Sequence, residues 1–282
     1  MQHDAPRNRN CEAELLFLLS AFALNSGNAI AKSTFDVANP GTVAWLRMAG
    51  AMVVAAVIAG PRVLRPSQWS RDELKSAAIF GLSTGLTSSF FYLAIDRLPL
   101  GKGVAIEFIG PITVAAILTR TRRNALALVL AVAGVTILSG VEIGDEPLGV
   151  FFILLAAASW AVHIVFGSRV ARAHSGIDGL AMAFVFGTIL TLPFGLLNPG
   201  AVVSHPYLLG IGLLVGALSS VTSYGIDQRI HRLVSVRHYS VLLAMLPIVS
   251  SIFGFVVFDQ TPSGWDYFGG ALIISGIALQ ER

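Results

Sequence analysis

The chain has 282 residues, of which 55% are hydrophobic and only 12% charged, with a mean hydropathy of +0.74. Soluble globular domains carry about 25% charged residues, so these values exclude a soluble domain and mark an integral membrane protein. The pI near 9.3 does not point to nucleic acid, because Lys and Arg sit in short links between apolar blocks and not along one helical face. The single cysteine, Cys11, excludes an internal disulfide and a cysteine metal cluster.

In chain order, a polar leader over 1–13 carries Arg7 and Arg9. The apolar run from Glu14 ends in Asn28-Ala29-Ile30-Ala31, which has the outline of a signal-peptidase site. Its length, and the polar Asn25 and Asn28 within it, read instead as a retained helix with one interior face. Apolar segments are expected at about 14–32, 41–60, 75–96, 100–119, 124–140, 147–168, 179–197, 206–228, 238–258 and 265–280, each of a length that crosses the roughly 30 Å hydrocarbon core. With the N-terminus inside, 15 of the 19 Lys and Arg residues fall in inside links, and the links over 141–147, 198–205 and 259–264 hold none. The expected fold is therefore an all-α integral membrane protein of ten transmembrane helices with both termini cytoplasmic.

Polar residues inside such spans mark candidate function. Arg47 lies within the second span and needs a counter-charge, water or an interface to snorkel to; it is read both as an anchor for a carboxylate and as a snorkelling cation. The third span carries Ser83, Thr84, Thr87 and Ser88, and the eighth carries Ser219, Ser220, Thr222, Ser223 and Tyr224. Such small polar residues also serve simply to let helices pack closely. Glu107, about midway along the fourth span, is the foremost candidate, because a carboxylate in hydrocarbon costs roughly 2.5 to 3.5 kcal/mol and normally faces a cavity. Gly103, Glu107, Gly110, Pro111 and Val114 share one helical face. In the sixth span stand Trp160 and His163; a lone histidine among aromatics is more often a hydrogen-bonded structural residue than a titrating one. Pro111 and Pro247 each remove a backbone hydrogen bond inside a span, so a kink or local unwinding, and a hinge role, are expected at both.

Sliding the chain by 136 residues brings Ala133 to Gly140 onto Gly269 to Gly276, Pro111 onto Pro247, Leu82-Ser83-Thr84 onto Leu218-Ser219-Ser220, and Leu24 onto Trp160. Five spans per copy is an odd number, so the second copy enters the membrane upside down. The expected organisation is a first five-helix repeat over 14–140 and a second over 147–280, the inverted arrangement of alternating-access transporters with a site near the midplane. The shift places Leu243 opposite Glu107, which leaves Glu107 as the acid expected to serve the whole site.

The stretches Asn28 to Ser33, Pro40 to Arg47, Phe91 to Ile95 followed by Pro99-Leu100-Gly101, Val104 to Phe108, Gly110-Pro111, Ser159 to Val162, and Leu218-Ser219-Ser220 with Tyr224 resemble the drug/metabolite transporter superfamily with its EamA-type repeats, and within it the threonine/homoserine exporter branch. The resemblance implies an inner-membrane exporter of small amino acids or related metabolites, with no cofactor and no bound metal. It adds Tyr92 and Asp227 to the site, Asp227 standing where the branch has a Glu. The chain departs from the branch at Leu246, where a Glu precedes the second-half proline, and at Asp259-Gln260, in place of Gly-Glu. Competing readings are a transporter of this fold with another cargo, such as a drug or nucleotide sugar, and a membrane-embedded enzyme. No HExxH motif, intramembrane Asp pair or Ser-His constellation supports the latter. The expected partners are a small-molecule substrate and the lipid bilayer.

Overall fold

The computed structural model describes residues 5–60, 65, 68–118, 121–139, 146–173, 176–233, 243, 246–259, 261 and 263–279. Among them every regular element is helical. Helix α1 (Ala5–Lys32) begins nine residues before the expected span, because Arg and Asn residues that cannot enter hydrocarbon still wind into a helix. Its last residue, Lys32, donates from Nζ to the carbonyls of Ile95 and of Leu98, the latter at 3.4 Å, covering the carbonyl end of the third helix. Helix α2 (Pro40–Ala59) starts on a proline and is capped by Asn39, whose side chain accepts from the Gly41 amide; it ends at Gly60, with φ of 83°. Helix α3 (Arg71–Ile95) opens with a reciprocal capping box between Ser70 and Glu73.

The fourth span is two helices, α4 (Leu100–Glu107) and α5 (Ile109–Leu118), separated at Phe108. Pro111 has no N–H, and the carbonyl it would have served four residues back is that of Glu107. The expected break is thus present, displaced to the residue after Glu107. Next come α6 (Arg122–Ser139) and α7 (Pro147–Ala173). The seventh span, expected to be continuous, stops at Thr191 between α8 (Gly176–Leu190) and the short α9 (Leu192–Gly195), which has Pro193 in its first turn. After α10 (Pro199–Ser204), the eighth span passes from α11 (Tyr207–Val215) through a π segment, Gly216–Thr222, into α12 (Ser223–Leu233). Nothing in the composition anticipates that π segment. Helices α13 (Leu246–Phe258) and α14 (Gly264–Leu279) complete the chain. Pro247 is in the first turn of α13 beside residues 244–245, so its expected break lies outside the described residues, as does the link over 140–145.

Five of the helical stretches are long and apolar enough to cross a membrane: Glu12–Lys32, Pro40–Ala59, Arg71–Ile95, Pro147–Val170 and Tyr207–Ile230. The protein is an all-helical, multi-pass membrane protein. Its polarity is distributed accordingly. Phe22, Val57, Ile58, Val129 and Phe255 face outward, while Asn25, Asn28, Thr42, Arg47, Thr84 and Glu107 are buried. Helix α3 packs on α7 and α8, α2 on α11, the π segment and α8, α1 on the π segment and α12, α4 on α13, and α6 on α14.

Candidate functional site

Close backbone packing delivers Arg47 to the centre of the molecule. A Cβ on Gly50 would sit 2.1 Å from the Gly212 carbonyl oxygen, and one on Gly216 would sit 2.7 Å from the Arg47 carbonyl, so α2 meets α11 and the π segment backbone to backbone. The π winding then frees an acceptor. The Ser223 amide bonds the oxygens of Leu218 and Ser220 and passes over that of Ser219, which accepts from Arg47 Nη2 at 3.1 Å. Arg47 Nε donates to Ser220 Oγ at 2.9 Å, Nη1 to Asn28 Oδ1 at 3.3 Å and the Tyr92 hydroxyl at 3.4 Å, and Nη2 to the Tyr224 hydroxyl at 3.3 Å. Arg47 is 3% exposed. Arg47 therefore does not snorkel; all of these acceptors are neutral, and its positive charge is held inside the protein.

Glu107 is the last residue of α4 and shares a cavity wall with Arg47. It is 8% exposed and makes no hydrogen bond or ion pair among the described residues. The cavity offers about 80 Å³ to the centres of water-sized molecules, room for several waters or a small solute. Phe108, at the break, meets Trp160 edge to face at 5.6 Å between ring centres.

Of the residues singled out from the sequence, Asn28, Arg47, Thr87, Ser88, Glu107, Trp160, His163, Ser223, Tyr224 and Asp227 line this cavity. Tyr92 and Ser220 stand behind it as holders of Arg47. Thr84 also stands behind, its hydroxyl 2.7 Å from His163 Nδ1, and the imidazole lies against Phe80 and Tyr224 with ring centres 4.6 and 5.2 Å away. Ser88 bonds back to the Thr84 carbonyl of its own helix at 3.0 Å. Asn25 is not brought to the cavity: its amide donates to the Ala21 carbonyl one turn back, at 2.9 Å. Pro111 lies one turn beyond Glu107, behind the break it causes.

Leu243 stands at the position matching Glu107, and Asp227, which the resemblance adds to the site, is a second carboxylate on the same wall. It accepts from Ser20 Oγ at 2.8 Å, and Ser20 Oγ lies 2.9 Å from Ser223 Oγ. Sequence reasoning missed Ser20 and Gln228, which also line the cavity. A lone serine in an apolar run carries no signal, and its partners stand more than 200 residues away. Among the described residues no three of His, Cys, Asp and Glu gather as metal ligands.

Comparison with known proteins agrees with this architecture. The model of the EamA-like transporter family matches residues 147–280. The threonine/homoserine exporter RhtA of Salmonella typhimurium (strain SL1344) is 30% identical over 253 residues, 89% of this chain and 84% of the exporter. Its counterpart in Escherichia coli (strain K12) is 28% identical over 250 residues, 88% and 83% of the two chains. An uncharacterized transporter of Archaeoglobus fulgidus is 28% identical over 122 residues, 43% and 42% of the two chains. A crystal structure of a protein 19% identical in sequence superposes with a TM-score of 0.62, covering 95% of this chain and 97% of that one, which shows a shared fold.

Proposed function

The chain belongs to the EamA-like transporter family and is a membrane transporter, not an enzyme; from that premise we propose that it exports a small amino acid of the threonine or homoserine kind across the cell inner membrane. One observation carries the reading. A buried guanidinium and a buried carboxylate, Arg47 and Glu107, face one cavity without pairing with each other. A free amino acid carries the complementary pair of charges.

In this reading the substrate carboxylate displaces Asn28, Tyr92 and Tyr224 from the two Nη atoms, whose bonds to them are the long ones of the set. The shorter bonds to Ser220 and Ser219 keep the guanidinium in place meanwhile. The substrate ammonium meets Glu107. A proton arriving from outside competes with that ammonium for the carboxylate and promotes release.

Alternating access of two inverted halves, 14–140 and 147–280, is the accompanying proposal. The cavity wall supports it, because six pairs of lining residues stand 136 positions apart: Leu24 and Trp160, Asn28 and Ile164, Thr87 and Ser223, Ser88 and Tyr224, Phe91 and Asp227, Glu107 and Leu243. The packing supports it too. The third span lies on the sixth and seventh, and the eighth lies on the first and second, as a two-fold relation requires. With both termini cytoplasmic, Ser20, Phe80, Gly167 and Gln228 extend the cavity towards the cytoplasmic ends of their helices, consistent with a loading state. The decisive experiment measures flux of labelled amino acids in proteoliposomes containing the purified chain. Substrate-dependent flux of threonine or homoserine is expected, and the absence of flux for every amino acid overturns the proposal.

A further inference from the structure

The cavity has a second polar cluster, where α1 meets α12. Ser20 and Ser223 are 3% and 1% exposed, and their hydroxyl oxygens lie 2.9 Å apart. Ser20 also lies 3.2 Å from the Ser223 carbonyl and donates to Asp227 at 2.8 Å. Gln228, 5% exposed and on the same wall, has its Oε1 without a hydrogen-bond partner among the described residues. Much of the remaining wall is apolar, including Leu24, Val104, Ile164 and Leu243. An unpartnered buried amide oxygen on the same wall as two buried hydroxyls is costly unless something with a donor visits it.

We infer that this cluster receives the side-chain hydroxyl of the transported molecule, so that Ser20, Ser223, Asp227 and Gln228 select small hydroxylated amino acids over aliphatic ones of equal size. The inference rests on the amino-acid reading of the cavity given above. A hydroxyl has one donor and two acceptor sites. It gives its proton to Gln228 Oε1 or to Asp227 and accepts from a serine hydroxyl that turns towards it. A methyl in the same place removes water from all these groups and returns nothing. Sites built to hydrogen-bond a hydroxyl reject analogues lacking it far more strongly than apolar pockets reject an added one. A lysine-like side chain offers a charge to Asp227, but it must extend several atoms further into a cavity of limited room.

The test uses the purified full chain in proteoliposomes with labelled threonine, homoserine, valine, 2-aminobutyrate and lysine. The wild type is expected to carry threonine about tenfold faster than valine, its near-isostere. Ser20→Ala and Gln228→Met are each expected to lower threonine flux about tenfold while valine and 2-aminobutyrate stay within about twofold, collapsing the ratio. Ser223→Ala is expected to act in the same direction and guards against misfolding of any one variant, with each flux normalised to reconstituted protein. Equal losses for all substrates in these variants assign the cluster to helix packing and overturn the inference. So does a wild type that moves valine as fast as threonine, or lysine faster than either. Absence of flux for all five overturns the amino-acid reading beneath it.

Discussion

Glu107 and Leu243 face one cavity from positions 136 residues apart, so a carboxylate in one half of the chain stands against an isobutyl group in the other. Charge on this wall is therefore placed by one half only at that level. Glu107→Gln is expected to insert and fold, since a neutral amide is cheaper to bury than a charge. Outward flux of the wild type is expected to rise as external pH falls below internal pH, because in the proposed cycle the proton that releases substrate comes from outside. The Gln variant should give a flat profile in the same vesicles. Unchanged pH dependence in that variant assigns Glu107 a structural role.

Arg47 reaches five acceptors from three nitrogens in a planar fork. Lysine keeps the charge but offers it from one point and cannot bridge α1, α3 and the π segment together. Arg47→Lys should lower amino-acid flux by at least about tenfold, and unfolding in detergent should occur several degrees lower. Flux assays and thermal melts on the same preparation check both.

Pro111→Ala restores an amide to the carbonyl of Glu107 and allows α4 to run through Phe108 into α5. The protein should gain stability while transport slows, a split read by comparing melting temperature with initial flux. Pro247→Ala is expected to slow flux in the same sense. Normal flux in both variants makes the breaks static packing features.

Gly50 has no room for a side chain against the backbone of Gly212, whereas Gly210 faces open space. Gly50→Leu should remove most folded protein from the membrane, since even modest overpacking costs about 1–3 kcal/mol and here backbone must move. Gly210→Ala should be neutral or stabilising by up to about 1 kcal/mol. Fluorescence-detected gel filtration of the two variants separates these outcomes.

Orientation is testable apart from transport. A reporter after Arg282 is expected to read as cytoplasmic, and one between Glu142 and Asp145 as external. An external C-terminus overturns the ten-span arrangement.

Which features were legible in the sequence follows from how anomalous each residue is in hydrocarbon. Arg47 and Glu107 stand out because charge within an apolar run demands an explanation, and both reach the cavity. Asn25 stands out equally, yet its amide N–H donates to its own helix and its buried Oδ1 has no partner among the described residues. Composition does not say which way a polar side chain turns. Ser20 and Gln228 were invisible, because a small or neutral polar residue is ordinary in a membrane helix and their significance lies in neighbours distant in the chain. Pro111 predicted a break in the fourth span, and its location after Glu107 depends on which carbonyl loses its donor. The π winding over Gly216–Thr222 has no local signature; it exists where α2 presses backbone on backbone and Arg47 takes an acceptor from the helix.

That winding has a consequence for insertions and deletions. A π turn holds one residue more than an α-helix uses for the same closure. Removing one residue from the segment closes the same turn as ordinary α-helix, so everything from Ser223 onward keeps its facing, but the helix takes back the carbonyl that Arg47 now uses. Tyr224 and Asp227 stay on the cavity wall and the apolar length that spans the bilayer is nearly unchanged, while the buried guanidinium loses a backbone acceptor. A single-codon deletion there would yield a transporter that is made and inserted with its site facing as before, but with Arg47 held by one partner fewer.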